Sequence, residues 1–185
     1  MLKVAGLCGV TGPIITISLI ALAISRSPWF SWTENALSDL GVHGSSAMFN
    51  SGLLIGGLLS CAFALGLREV LRSRILGHVG AVILLLGSVA MCGIGIFTES
   101  AGELHTYVSV AFFVLFPVAL WLVGAALVQK REKGMGLFVI VAGVFAVAVW
   151  ALPWPAVAIP EILSALAFSA CSIGLGARLF KWAED

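Results

Sequence analysis

Six long apolar runs joined by short polar connections make up almost all of this chain and restrict what it can fold into. Each run is close to the roughly 20 residues that a helix needs to cross a bilayer. The runs are continuously apolar rather than alternating, which favours helices over barrel strands, and a helix satisfies its own backbone hydrogen bonds where water is absent. The predicted spans are residues 4–24, 47–67, 76–97, 105–128, 136–154 and 161–180.

The composition is that of an integral membrane protein. Hydrophobic residues make up 61% of the chain and charged residues 10%, whereas soluble domains contain roughly 25% charged residues. The spans leave no room for a separate soluble domain. We therefore predict one all-α domain over residues 1–185, a polytopic transmembrane helix bundle with six spans. The first run is long for the central region of a signal peptide, so we expect it to be retained as a span.

The positions of Lys and Arg indicate how the bundle is oriented. If the helices alternate in direction, every Lys and Arg except Arg26 falls at one end of the bundle. Because basic loops are retained in the cytoplasm, we predict that both termini are cytoplasmic and that the protein lies in the cell membrane. The net charge of +1 gives no indication of a nucleic-acid partner. Acidic residues are concentrated at the opposite, outer end, at Glu34, Asp39, Glu99, Glu103 and Glu161.

Three outer connections therefore bring polar groups to one end of the bundle. The longest contains the segment NALSDLGVHGSSAMFNSG, and the others contain GIFTESAGELHTY and LPWPAVAIPEILSA. From this topology we hypothesise that the connections form an outward-facing polar pocket. Its predicted ligand-binding residues are Asp39, His43, Asn50, Glu99, His105 and Glu161.

Some of these polar groups have simple structural explanations. Ser31 and Glu34 have the S-x-x-E spacing of a capping box, which predicts a short helix that Gly41 ends. Ser100 and Glu103 repeat this spacing ahead of the fourth span. A carboxylate at position 161 would be stabilised by the dipole at the start of the sixth span.

Asp39, Glu99 and His105 are harder to explain in this way. Asp39 would lie at the C-terminal end of the predicted short helix, and Glu99 at the end of the third span, where the helix dipole disfavours a negative charge. Asn50 lies inside the second span, where an amide needs a hydrogen-bond partner. Either a buried hydrogen-bonded cluster that fastens the connections or a ligand or catalytic pocket would account for these residues.

Two stretches of the chain, NALSDLGVHGSSAMFNSGLLIGGLLS and GIFTESAGELHTYVSVAFFVLFP, resemble the domain-of-unknown-function family 998 of prokaryotic membrane proteins. The resemblance covers nearly the whole chain and implies six helices, but it implies no activity. The residues that carry it are the Leu-Ser-Asp-Leu-Gly segment at 37–41, Phe49, Asn50, Gly52, Glu99 and His105.

Two functional hypotheses of different class follow. In the first, the protein is a non-enzymatic module whose outer pocket binds a membrane lipid, a small ligand or a partner membrane protein. In the alternative, it is an intramembrane hydrolase acting on lipid at the outer surface. Ser38 would then be the nucleophile, and Asp39, Glu99 and His105 would act as base and acid or hold a divalent metal such as zinc. No HExxH, HxxxH or GxSxG motif occurs, and the spans lack the deeply placed charges of an ion transporter.

Overall fold

Six α-helices pack side by side in the computed structural model, which describes residues 1–184. All six, the fifth taken with a 3₁₀ extension to Ala151, are long and apolar enough to cross a membrane. Residues 1–184 contain no strand, so the predicted all-helical class with six spans is confirmed. The α-helices are α1 (Leu2–Ser25), α2 (Ser46–Leu71), α3 (Ile75–Ile96), α4 (Glu103–Gln129), α5 (Lys133–Ala148) and α6 (Ala158–Trp182). The 3₁₀ helices are Leu37–Gly41, Glu99–Ala101 and Val149–Ala151.

The helix limits differ from the predicted spans by a few residues, most clearly in α5. The apolar run predicted a span to residue 154, whereas α5 ends at Ala148 and continues only as a 3₁₀ turn. Pro153 follows shortly after, and the residue before a proline is disfavoured in the α conformation. Pro13 in α1 and Pro117 in α4 lie inside helices that continue past them.

The helices form a closed ring. Each one packs against the next in sequence, and α6 packs against α1. Neighbours are antiparallel, as the α1–α6 contact illustrates: Gly6 faces Gly176 and Leu179, while Gly9 accepts a hydrogen bond from the Ser172 hydroxyl. The first and last helices therefore complete the ring.

Small residues set the separation at the closest helix pairs. A Cβ on Gly176 would lie 2.8 Å from the Gly6 carbonyl oxygen, and one on Gly136 would lie 2.7 Å from the Gly124 oxygen. Such close backbone approach is typical of membrane helices, in which packing rather than the hydrophobic effect drives association. The α1–α6 and α4–α5 contacts both depend on it.

Aromatic side chains cross the middle of the ring. Phe112 and Phe116 of α4 reach Phe168 of α6, with ring centroids 5.7 and 5.0 Å apart. The outer surface of the ring is also apolar, as expected for a surface that faces lipid. Exposed apolar side chains on the six helices include Leu7, Leu58, Leu86, Val114, Val141 and Leu166.

The two ends of the bundle differ in charge. The basic end contains the start of α1, the end of α6 and the short connections 72–74 and 130–132. The acidic end contains the connections 26–45, 97–102 and 152–157. Because neighbouring helices are antiparallel, these three connections lie at the same end, as the sequence predicted.

Candidate functional site

A five-residue 3₁₀ helix, Leu37–Gly41, lies at the centre of the acidic end and is called the loop helix here. The sequence predicted a longer helix opened by a Ser31 and Glu34 capping box, and this prediction is wrong. The Ser31 N–H donates to Asn35 Oδ1 over 2.9 Å, and the Ser31 hydroxyl lies 3.1 Å from that of Thr33. A single backbone turn does form, with the Asn35 N–H donating to the Ser31 carbonyl over 3.0 Å, but it does not continue as a helix.

Asp39 stabilises the start of the loop helix. The prediction that it lies at a helix C-terminus is wrong, since Asp39 is the third residue of the loop helix and lies in its first turn. Its Oδ2 accepts hydrogen bonds from Asn35 Nδ2 at 2.9 Å and from the Ala36 N–H at 3.0 Å. A carboxylate in this position satisfies a backbone donor that a short helix leaves free.

Two carboxylates hold the beginning of the loop helix, Glu99 of the connection 97–102 and Glu161 of the first turn of α6. Glu161 Oε2 accepts the Leu37 N–H over 2.7 Å, and Glu99 Oε1 accepts the Ser38 hydroxyl hydrogen over 2.6 Å. The Ala158 N–H also donates to the Asn35 carbonyl over 3.1 Å. We call Ser38, Asp39, Glu99 and Glu161 the acidic cluster; it joins the connections 26–45 and 97–102 to the first turn of α6.

The pKa of the Glu99 carboxyl depends on its burial and on its charged neighbours. Burial raises the pKa of the Glu99 carboxyl above its ordinary value of 4.5, and the neighbouring Asp39 carboxylate adds to the increase. The hydrogen bond from Ser38 and the proximity of His105 oppose this rise in pKa without reversing it. Glu99 is therefore easier to protonate than an exposed glutamate.

Asn50 fixes the other end of the loop helix. Its Nδ2 donates to the Gly41 carbonyl over 2.9 Å, which supplies the partner that an amide inside a span needs. Its Oδ1 is buried without a hydrogen-bond partner in residues 1–184. A Cβ on Gly41 would lie 2.7 Å from that oxygen, so a larger residue at position 41 would displace the Asn50 amide.

His105 is buried beside the acidic cluster but is not hydrogen-bonded to it. Its Nδ1 lies 2.8 Å from the Phe97 carbonyl oxygen. A carbonyl only accepts, so Nδ1 carries a hydrogen, and Nε2 lies 3.4 Å from Ser109 Oγ. The imidazole thus connects the end of α3 to α4. It affects the pKa of Glu99 electrostatically, without a hydrogen bond to it.

Other polar residues predicted near the site lie apart from it. His43 is exposed and packs edge-on against the Trp29 ring, with centroids 4.7 Å apart. The Ser100 and Glu103 capping box is also wrong, because Ser100 lies in a separate 3₁₀ helix and Glu103 is itself the first residue of α4. Glu103 instead accepts a long hydrogen bond of 3.5 Å from Tyr107.

A cavity of about 100 Å³ lies inside the ring next to the acidic cluster. Leu37, Ser38 and Glu161 form its polar end. Deeper in the bundle its wall combines aromatic and aliphatic side chains with hydroxyl groups from α2, α4 and α6. The deeper aromatic and hydroxyl residues are Phe112, Phe113, Phe116, Phe168, Ser60, Ser109, Ser169 and Ser172.

Sequence reasoning missed the deeper wall, although a signal for it exists. On α4, Ser109, Phe112, Phe113 and Phe116 are spaced i, i+3, i+4 and i+7, which defines one helix face. The same spacing on α6 includes Phe168. A hydroxyl and aromatic side chains repeated on one face of a membrane helix indicate a surface turned away from lipid.

The metal hypothesis lacks a suitable group of ligands. Within residues 1–184, no three His, Cys, Asp or Glu side chains are grouped as a metal site requires. Asp39 and Glu99 lie together, whereas both ring nitrogens of His105 face protein oxygens. The hydrolase alternative stays a prediction.

A ring of apolar helices with a polar cluster at one end defines a multi-pass membrane protein. The family model described as "Protein of unknown function (DUF998)" matches residues 10–178, and the chain belongs to this family. The resemblance identified from the sequence is thereby confirmed. Neither the curated proteins nor the solved structures contain a significant match.

Proposed function

We propose that this protein binds a membrane amphiphile, with the polar head at the acidic cluster and part of the apolar portion in the central cavity. The observation that carries the proposal is the two-part wall of that cavity. Ser38 and Glu161 lie at one end of it, and phenylalanines of α4 and α6 lie further in. The ligand would come from the cell-membrane leaflet at the acidic end, which we expect to face away from the cytoplasm.

The polar part of the wall favours a head group that donates hydrogen bonds. Glu161 uses Oε2 for the Leu37 N–H, and its Oε1 has no protein hydrogen-bond partner among residues 1–184. Within residues 1–184, no Lys or Arg forms an ion pair with Asp39, Glu99 or Glu161. An amine or a hydroxyl would be accepted here, whereas a carboxylate or phosphate would be repelled.

The apolar part of the cavity holds only a short segment of a ligand. Its volume of about 100 Å³ corresponds to roughly three water molecules at about 30 Å³ each. A long acyl chain would therefore leave most of its length outside the ring. The proposal accordingly needs a route from the cavity to lipid.

The α1–α6 contact offers such a route. Towards the basic end these helices touch at Gly6 and Gly176. Towards the acidic end the cavity lies between them, lined by Pro13 and Ile17 of α1 and by Ala165 and Ser169 of α6. All four of these residues are only partly buried, which is consistent with access from the surrounding lipid.

Ligands with one tail and different heads test the proposal. Purified protein in phosphatidylcholine nanodiscs is titrated with dodecylamine, dodecanol and dodecanoate, and the melting temperature is followed. We expect the amine and the alcohol to raise the melting temperature and dodecanoate to leave it unchanged, because only the first two donate hydrogen bonds at neutral pH.

Two variants on one helix distinguish cavity binding from partitioning into the bilayer. Ala165→Phe places a ring in the cavity and should abolish the stabilisation, whereas Leu166→Phe alters a side chain that is 45% exposed on the outer surface and should retain it. Equal stabilisation of both variants, or no preference among the three heads, would refute the proposal.

A further inference from the structure

A second cavity lies at the opposite, basic end of the molecule. It is a groove of about 570 Å³ between the connection 130–132, the start of α5 and the last part of α6. This volume is within the roughly 300–1,000 Å³ typical of ligand sites. The groove shares no residue with the central cavity, so it is independent of the function proposed above.

The groove is lined by four cations and one carboxylate. Glu132 is paired with Arg178, which leaves the charges of Arg131, Lys133 and Lys181 without an ion-pair partner among residues 1–184. Arg131, Lys133 and Lys181 are all exposed. The pairing with Arg178 also lowers the pKa of the Glu132 carboxyl, so this ion pair persists at neutral pH.

The start of α5 adds hydrogen-bond donors to the groove. Lys133 and Gly134 line it and are the first two residues of α5. Backbone N–H groups in the first turn of a helix have no intrahelical partner, and the helix dipole favours an anion there. Together with the three cations, these donors suit a phosphate group.

The floor of the groove is apolar and continues between α5 and α6. A Cβ on Gly174 would meet Met135 only at ordinary contact distances, 3.5 Å from Cε and 3.7 Å from Sδ. By contrast, a Cβ on Gly176, which faces α1, would lie 2.8 Å from a backbone oxygen. The α5–α6 seam is therefore the looser of the two, and with the exposed Ala177 it leaves space that hydrocarbon can occupy.

We propose that this groove binds an anionic phospholipid from the leaflet at the basic end. Arg131, Lys133 and Lys181 hold its phosphate, and one acyl chain lies along Met135 and Gly174. Basic pockets between membrane helices are suited to acidic lipid head groups. The apolar floor is the reason for assigning a lipid rather than free phosphate.

The test measures phosphatidylglycerol retained by the full chain in native mass spectrometry, after purification from nanodiscs of mixed phosphatidylglycerol and phosphatidylcholine. Arg131→Gln/Lys181→Gln should weaken retention by about 30-fold. The matched control is Arg68→Gln/Arg74→Gln, which removes two exposed charges at the same end but outside the groove. This control should retain the lipid like the wild type.

A second variant and a competitor separate the lipid from other sources of negative charge. Ala177→Phe fills the groove without changing its charge and should also release phosphatidylglycerol. Inorganic phosphate should not displace the bound lipid at millimolar concentration. Equal losses in the groove and control variants would show diffuse attraction to the surface and overturn the proposal. Retention by Ala177→Phe, or displacement by inorganic phosphate, would equally overturn the assignment of a lipid.

Discussion

At the scale of single residues, two carboxylates of the acidic cluster accept hydrogen bonds from the backbone at the start of the loop helix. Glu161 accepts the Leu37 N–H of the loop helix, and Asp39 accepts the N–H of Ala36, which immediately precedes it. A buried donor that loses its partner costs about 1–3 kcal/mol, so these contacts contribute to order at the acidic end. The same Glu161 side chain also lines the cavity, which joins the structural role of the cluster to its proposed binding role.

The raised pKa of Glu99 predicts how stability depends on pH. A carboxyl whose pKa is higher in the folded state binds more protons there than in the unfolded state. Its favourable contribution is therefore greatest below the ordinary value of 4.5 and decreases as the pH rises through the higher, folded value. Glu99→Gln should reduce the dependence of the melting temperature on pH in this range. Partial exposure limits the change in melting temperature to about a few degrees.

The measurement is the melting temperature in detergent between acidic and neutral pH, for wild type and Glu99→Gln. Glu103→Gln is the control, because Glu103 is exposed at the same end and accepts a long hydrogen bond from Tyr107 rather than joining the acidic cluster. A profile of Glu99→Gln that follows the wild type would contradict the prediction.

The convergence of residues at this site was partly predictable from sequence. Alternating spans require Asp39, Glu99 and Glu161 to lie at one end, and the structure brings them together around the loop helix. Their partners were not predictable, because the Leu37 N–H is a backbone group that no sequence pattern marks. The capping box at Ser31 failed for a related reason: the side chain of Asn35 competed for the same backbone donor.

At the scale of elements, two opposite faces of α6 pack against their neighbours at different distances. Gly176 meets the backbone of α1 at close range, whereas Gly174 faces the flexible Met135 side chain of α5. One face therefore tolerates no added atoms, and the other does. The apolar run that predicted α6 could not distinguish these faces, since both glycines lie in the same helical sequence.

This difference predicts opposite outcomes for two alanine substitutions. Gly176→Ala should destabilise the bundle by about 1–3 kcal/mol, because the new methyl group would overlap backbone atoms that cannot move aside. Gly174→Ala should be neutral or stabilising by up to about 1 kcal/mol, since alanine is favoured over glycine inside a helix. Denaturation in mixed micelles measures both. A Gly174→Ala loss equal to that of Gly176→Ala would disprove this account of the two faces.

At the scale of the whole molecule, the basic and acidic ends predict the orientation in the membrane. Because basic connections are retained in the cytoplasm, both termini and the connections 72–74 and 130–132 should lie there. Green fluorescent protein fused to either terminus should fluoresce. Alkaline phosphatase inserted after Ala101, at the acidic end, should be active. An active phosphatase at either terminus would reverse the assignment.

The number and order of the helices could be predicted from sequence, but the ring and its cavity could not. Apolar run length fixes where helices occur, and short connections make neighbours antiparallel. Closure depends instead on the approach of Gly6 to Gly176, two residues at opposite ends of the chain. Nothing local to either residue indicates that contact, and the central space exists only once it is made.

Ring closure also leaves the start of α1 beside the end of α6. Lys3 Nζ and Glu184 Oε1 are 3.5 Å apart at the basic end, the same end as the turn between Arg72 and Arg74. A short linker joining the old ends, with a cut in that turn, would produce a circular permutant in which every helix keeps its original direction across the bilayer. The order in which the helices are synthesised is thus separable from the architecture they build.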